Sequence, residues 1–445
     1  MYLKRGKIIQ MSKKTNRLLS FAAVLSSLSL LAGCSSVSAA AKPAAAKNVP
    51  VITFGSWIPW SAHPGHVKLL NEINHANRGR FIIKPVYTPP SGYDQKLLTE
   101  LAAGDAPDFF YVDYGFVSSF AANHTLLALS PYLQQLKKQY LAANPQNYYP
   151  ASLAGDRIGG KYYALPFIDQ PYVMYYNPQL FKAAHLPMPT ANWTWTQFLR
   201  DAKALTVPAK HQFGYLQASG WPPLETYIWS YGGHMFNPQG TRAELTSPAD
   251  LKGIELMQTM VRDKIIPPQA QIENLNIEDL FRQGKVAMFL GGANDGNYTY
   301  GNHRINTAIA PIPRGTQQVT GDYVAEIAVN AKAANPKLVV QAYLDILTAY
   351  AHTHVAPPIR QYAQRLKTIY VNSAPGGHIP AARIPIILDS MKFARSLRPM
   401  QNMTNYYNIE TNDLYDPILL GTSSAKAAAQ KAETDMNNYL KNPNG

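Results

Sequence analysis

Asp94-Gln-Lys-Leu-Leu-Thr-Glu-Leu-Ala-Ala103, then Gly104-Asp-Ala-Pro107, then Asp108-Phe-Phe-Tyr-Val-Asp113, is the stretch on which the fold turns. Leu97, Leu98 and Leu101 recur at helical spacing on one face, and Gly104 supplies the stop. The short apolar run that follows reads as a strand. Working outward, Val51-Ile-Thr-Phe54 and Phe81 to Tyr87 read as two earlier strands, with a helix over Val67 to His75 between them. Strands alternating with helices predict a parallel α/β sheet. Downstream, Ser130-Pro131 supplies an N-cap and an N1 proline, and Thr194-Trp-Thr-Gln197 is a capping-box pattern opening a helix through Leu205. Ser247-Pro248 opens a helix to about Asp263, and Asn276 caps one through Arg282. Phe213 to Gln217 and Val286 to Leu290 read as further strands. No Gly/Pro-rich linker divides the chain, so two lobes joined by several crossings are expected.

The chain has 445 residues, 46% of them hydrophobic, enough for two cores and too apolar for a largely disordered protein. A single cysteine, Cys34, excludes an internal disulfide framework and any cysteine-based zinc cluster. The formal charge of +14 first points to nucleic acid or an acidic membrane surface. Its distribution weakens that reading. Six of the basic residues (Lys4, Arg5, Lys7, Lys13, Lys14, Arg17) precede an apolar run from Leu18 to Ala32, with no acid among them. That is the pattern of an export signal, and the run falls short of the ~20 residues a spanning helix needs. Met11 serves equally well as its start. Leu31-Ala-Gly-Cys34, followed by two serines, resembles the bacterial lipobox, which makes Cys34 the expected lipid attachment site and mature N-terminus. Removing the leader leaves 35 basic against 27 acidic residues, a charge of +8. Residues 34–49 read as a tether. The scarcity of acids suits an exterior at low pH, where fewer carboxylates need protonating.

Several enzyme signatures are missing. There is no H-E-x-x-H zinc pattern and no G-x-S-x-G elbow. Gly284-Lys285 is not a phosphate loop, because Asp279 holds the first glycine position and Val286 replaces Ser/Thr. His352 and His354 are spaced as a metal pair on an extended segment or as an exposed loop pair beside Pro357-Pro358, and the second reading is preferred. Basic residues are dispersed rather than interleaved with aromatics, so nucleic acid is not an expected partner.

Four segments together resemble the extracellular solute-binding proteins of carbohydrate ABC transporters, over nearly all of residues 50–441. They are Tyr93 to Asp108, with its helix and A-x-G-x-x-P-D turn; Gly160-Lys-Tyr-Tyr-Ala-Leu-Pro-Phe167 with Met174 to Asn177; Thr194 to Phe198; and Phe281-Arg-Gln-Gly-Lys-Val-Ala-Met288. The resemblance implies a two-lobed periplasmic-binding-protein fold, with a hinge and a ligand cleft between the lobes. The expected division follows a leader at 1–33: lobe 1 over 50–157 plus 308–350, and lobe 2 over 158–307 plus 351–445. A sugar presents hydroxyls that need paired donors and acceptors, and apolar faces that sit on aromatic rings. The six Trp and 28 Tyr suit that chemistry. Trp57 and Trp60 follow the first strand, at the edge where open α/β sheets place ligands. Asp113 ends the third strand. Tyr93 opens a helix, Asp169 follows the Leu165-Pro-Phe crossing, and Trp221 stands in a Gly-Trp-Pro-Pro loop. Asn294, in Gly291-Gly-Ala-Asn294-Asp295, stands where the family commonly presents an aromatic. Tyr323 and Glu326 lie where the family returns to the cleft. Each also has a packing or capping reading; Trp193, Trp195 and Trp229 read as packing. Tyr172, Arg360 and the Tyr406-Tyr407 pair are weaker candidates. The implied protein is a monomeric, lipid-anchored, non-catalytic receptor without cofactor or metal, passing a carbohydrate to permease subunits on the outer face of the membrane. A secreted glycosidase or lyase using two of Asp113, Asp169 and Glu326 is one alternative. A receptor for an anionic solute, such as a glycerol phosphodiester or uronate oligomer, is the other.

Overall fold

The structure, a computed structural model, describes residues 49–62, 64–272, 277–293, 307–351, 356–366, 381–397, 400 and 403–443. Cys34, the tether, Asn276, Asn294 and the His352/His354 pair therefore lie outside the described residues.

The opening third follows the expected grammar. Strands β1 (Val51–Ser56), β2 (Ile82–Tyr87) and β3 (Phe109–Asp113) alternate with helices Pro64–Ala76 and Tyr93–Ala103. Gly104 ends the second helix with φ 86°, its N–H donating to the Glu100 carbonyl at 2.9 Å. The Pro-Asp turn closes by a reciprocal clasp. Thr53 N and Oγ1 both donate to Asp108 Oδ2, at 2.8 and 2.7 Å, and Asp108 N donates to Thr53 Oγ1 at 2.9 Å. These three bonds set the start of β3 beside β1.

Beyond β3 come the hairpin of β4 (Arg157–Ile158) and β5 (Lys161–Tyr162), the long β6 (Ala164–Tyr176), then β7 (Met288–Gly292), β8 (Ala308–Ala310), β9 (Thr320–Val329) and β10 (Ala394–Arg395). The main sheet runs β2-β1-β3-β9-β6-β7, with β8 beside β6 and β10 beside β9. β1 is parallel to β2 and β3, but β9 is antiparallel to both β3 and β6, so the sheet is mixed rather than parallel throughout. The departure has a physical origin. β6 and β9 are not units of the strand–helix alternation; they are long crossings that pair with each other.

The packing falls into one core on the first side of these crossings and two on the second. Ile52, Phe54, Phe109, Phe110, Leu165 and Phe167 share the first core with Val339 to Tyr350. Met174, Trp195, Phe198, Tyr227, Ile254 and Tyr406 belong to the second. Tyr175, Phe289 and Ile387 form a third, with the neighbouring Tyr175 and Phe289 rings stacked 4.9 Å apart. Each fully buried Phe or Leu contributes about 1.5–3 kcal/mol. Residues to Ile168 pack in the first core, whereas Ile309, Ile312 and Val319 pack with the others.

Other details both follow and correct the local expectations. Thr194 and Gln197 form the reciprocal capping box, and Ser247 accepts from Asp250 N at the head of helix Pro248–Arg262. Ser130 does not cap its helix. The cap position is Leu129, and the Ser130 hydroxyl accepts from Tyr162 N at 2.9 Å, tying the helix to β5. Phe213 to Gln217 forms no strand, only a bridge from Phe213 to Val286.

Candidate functional site

Trp57 leaves β1 half-buried, with its indole edge-on to Tyr93 at 5.1 Å and tilted against Tyr111 at 4.9 Å. The half-buried Asp113 ends β3, opposite Ala325 of β9. Asp94, in the first turn of helix Tyr93–Ala103, lies against Asp113. Burial first, then the Asp113 charge, raises the Asp94 carboxyl to about 7. Tyr323 emerges half-buried from β9, with burial and the charges of Asp113, Glu326 and Asp94 raising its phenol.

Tyr172, on β6, stands between the lobes. Its neighbours in charge are Asp322 of β9, Glu225 and Tyr407 of lobe 2, and Asp113 of lobe 1. Trp221 meets it edge-on at 5.0 Å and is oriented by an Nε1–H bond of 3.0 Å to the Leu290 carbonyl. Gln217 Nε2 donates to the Trp221 carbonyl at 2.9 Å, so the Gln217 side chain anchors the cis-Trp221-Pro222 loop. Half-buried aromatic faces and carboxyls from both lobes thus converge on the crossing strands.

Four of the expected residues sit differently. Trp60 is 1% exposed and enclosed by Phe54, His66 and Tyr350, its indole N–H pointing to Tyr111 Oη at 3.4 Å. The 3-10 turn Trp60–Ala62 swings it back under β1 into the core. Tyr93 is buried and supports Trp57 rather than presenting its own ring. Asp169 is buried where β6 leaves the first core, accepting the Ser152 hydroxyl and facing Asp322. Glu326 is 1% exposed, one strand position below Asp113, opposite Val112 and Pro166. Asn294 lies outside the described residues. Among the weaker candidates, Tyr407 joins the site and Arg360 does not; its guanidinium donates to the Gln146 carbonyl. Trp193, Trp195 and Trp229 are buried, as expected of packing residues.

Glu225 and Asp94 were not anticipated. Glu225 opens helix Glu225–Ser230 and is buried, with Oε1 accepting from Tyr406 Oη at 2.9 Å. The signal was there: a lone carboxylate in Leu224-Glu-Thr-Tyr-Ile-Trp229, four residues after the loop tryptophan. Such an acid is costly in an apolar stretch unless it has a partner. Asp94 stands in the first turn of its helix, where an acid is commonplace, so its residue type carries no signal of the site.

Of the three carboxylates available to a hydrolase, only Asp113 is half-exposed, while Asp169 and Glu326 are enclosed. Among the described residues no group of three or more His, Cys, Asp and Glu side chains is placed to hold a metal, and no helix is long and apolar enough to cross a membrane.

Two α/β lobes sharing crossing strands, with polar and aromatic groups gathered at the crossing, define the two-lobed binding-protein class. The chain belongs to the bacterial extracellular solute-binding protein family, whose model matches residues 83–352. A putative binding protein of Brucella abortus is 26% identical over 236 residues, 52% of this chain and 55% of that protein. A lipoprotein of Streptomyces antibioticus, encoded in the oleD 5′ region, is 26% identical over 54% of this chain and 50% of its own length. The chain thus spans about half the length of these curated relatives. In overall fold it is similar to the ABC substrate-binding protein Lmo0181 of Listeria monocytogenes, solved with cycloalternan. That match has a TM-score of 0.74 and 20% identity, over 88% of this chain and all of that one.

Proposed function

We propose that this protein is a non-catalytic receptor that takes up a sugar or oligosaccharide between its lobes and hands it to an ABC permease at the outer face of the membrane. The observation that carries the reading is Tyr172, whose ring meets Trp221 edge-on and whose phenol is under the charges of Glu225 from one lobe and Asp113 from the other. Trp57 and Trp221 are the platforms for sugar faces. Asp113, Tyr323 and Tyr407 are the hydroxyl partners, and Asp94 joins Asp113 as an acid that can donate as well as accept. The cycloalternan ligand of the Listeria protein supports the carbohydrate class. Closure would give a permease different surfaces for the empty and loaded receptor. Cys34 is the lipid anchor in this reading, supported by the Streptomyces lipoprotein. The enclosure of Asp169 and Glu326 favours binding over hydrolysis.

A thermal-shift screen of the mature protein with mono-, di- and oligosaccharides tests it. A ligand at 100 times its Kd stabilises by about 2.7 kcal/mol. Neutral saccharides are expected to raise the melting temperature without sustained product release. A response confined to charged solutes would overturn the carbohydrate assignment, and continuing hydrolysis would overturn the receptor.

A further inference from the structure

Below the ligand mouth, the crossing is filled with acids. Asp156 precedes the β4–β5 hairpin, and Asp322 and Glu326 both lie on β9; all three are at most 5% exposed. Both carboxyl oxygens of Asp156 and Oε2 of Glu326 have no hydrogen-bond partner among the described residues, and Asp322 meets the Asp169 carboxyl, a pairing that needs a proton on one of the two. Asp156 is the strongest charge acting on Glu326, followed by Asp113 and Asp322. Buried carboxyls this close cannot all be charged.

Lobe 2 gives a separate, stoichiometric argument. Tyr406 Oη lies 2.9 Å from Glu225 Oε1 and 2.8 Å from Glu410 Oε1. A phenol has one proton to donate, so two such contacts require one glutamate to donate in return. Glu225, buried and with Oε2 unpartnered, is the acid that carries it.

We propose that the junction of the two lobes is proton-operated: Asp156, Asp322, Glu326 and Glu225 stand as neutral acids in the assembled junction, and charging them as the pH rises loosens the crossing and opens the lobes. The surroundings of each acid are consistent with this. Around Asp156 and Glu326, the loop before the hairpin brings Tyr148, β3 brings Asp113 and helix Pro336–Ala351 brings Tyr343. Asp322 is faced by Asp169 of β6 and by Tyr172. Glu225 is faced by Tyr172, Tyr406 and Tyr415, with Glu410 across Tyr406. Arg395, on the strand beside Gly321, is turned to the Trp229 ring at 4.9 Å and to His234 Nδ1.

Burial is the largest cause raising all four carboxyls in the folded protein. Unfolded, they return to the ordinary range near pH 4. Their contribution to stability is therefore complete below about pH 4 and is lost as the pH rises through the folded values. The device stands whatever the ligand proves to be.

The test follows thermal unfolding of the full mature protein from pH 4 to 8.5, the proton count at pH 7 from unfolding heats in buffers of different ionisation enthalpy, and the radius of gyration by X-ray scattering. The melting temperature is expected to fall by on the order of 5 °C or more from pH 5 to 8. Unfolding at pH 7 should release protons, and the radius of gyration should grow over the same interval. D322N, E326Q and E225Q, which cannot charge, should each flatten both profiles. Should E326Q not fold, the wild-type proton count and D322N decide. A melting temperature level or rising from pH 5 to 8, or proton uptake on unfolding, overturns the proposal. So does a falling melting temperature with an unchanged radius, because the acids would then stabilise the fold without governing closure.

Discussion

Trp57 and Trp60 leave the same strand end, three residues apart, and both reach Tyr111, yet they differ in exposure. Trp57 stays half-buried above Tyr93 and Tyr111, while Trp60 is folded under β1 against Phe54 and Tyr350. Asp113 and Glu326 repeat the contrast on neighbouring strands. One is half-exposed at a strand end, and the other is enclosed one register position deeper. Each pair shares its chemistry, indole or carboxylate, so what separates the half-buried member from the enclosed one is position relative to the end of the sheet. A sequence gives the type directly and the position only to within a residue or two.

Substitutions can break this contrast. Trp60→Ala should cost about 3–5 kcal/mol of stability, as for other buried aromatics, read from denaturant unfolding. Trp57→Ala should leave most of the stability intact and weaken saccharide binding by about 2 kcal/mol, roughly 30-fold, read by calorimetry. Equal stability losses in the two variants would erase the distinction between platform and core. A second comparison concerns the lobes' own contact. Ser118 Oγ donates to the Met400 carbonyl at 2.8 Å, and a Cβ on Gly115 would lie 3.0 Å from Met403 Cγ. Gly115→Val should hold the lobes apart, lowering saccharide affinity by about tenfold, 1.4 kcal/mol, with little change in the melting temperature of the empty protein. The smallest effect lies far from the site: Thr194→Ala, at the capping box, should cost about 1 kcal/mol of stability and leave affinity unchanged.

The regular part of the fold was legible because it rests on local rules. The leucine spacing, Gly104 and the capping box each act within one turn of helix, and the structure follows them. The sheet's mixed character was not legible. β9 earns its antiparallel place by pairing with β3 and β6, and a strand's direction leaves no mark in its own residues. The site divided in the same way. Strand-end reasoning named Trp57 and Asp113, which lie half-buried where β1 and β3 end. Whether Trp60, Asp169 and Glu326 faced the mouth depended on the 3-10 turn after β1 and on the register shift in β6 between Pro166 and Ile168. Glu225 was missed because its partners, Tyr406 and Glu410, are supplied by a helix and a π-helical turn far along the chain.

The central pairing of the first lobe joins Phe109 to Val329, about 220 positions along the chain. Between them lies much of the second lobe, whose further core residues, Met403 to Tyr439, follow later in the chain. β3 therefore remains an open edge until β9 has been made, and the first sheet cannot finish before the chain has passed through residues 177–319 of the other lobe. Contacts of such long range make folding slow. Folding of this protein is accordingly a late, whole-chain event, and a chain ending before Thr320 would keep two of its innermost strands unmatched.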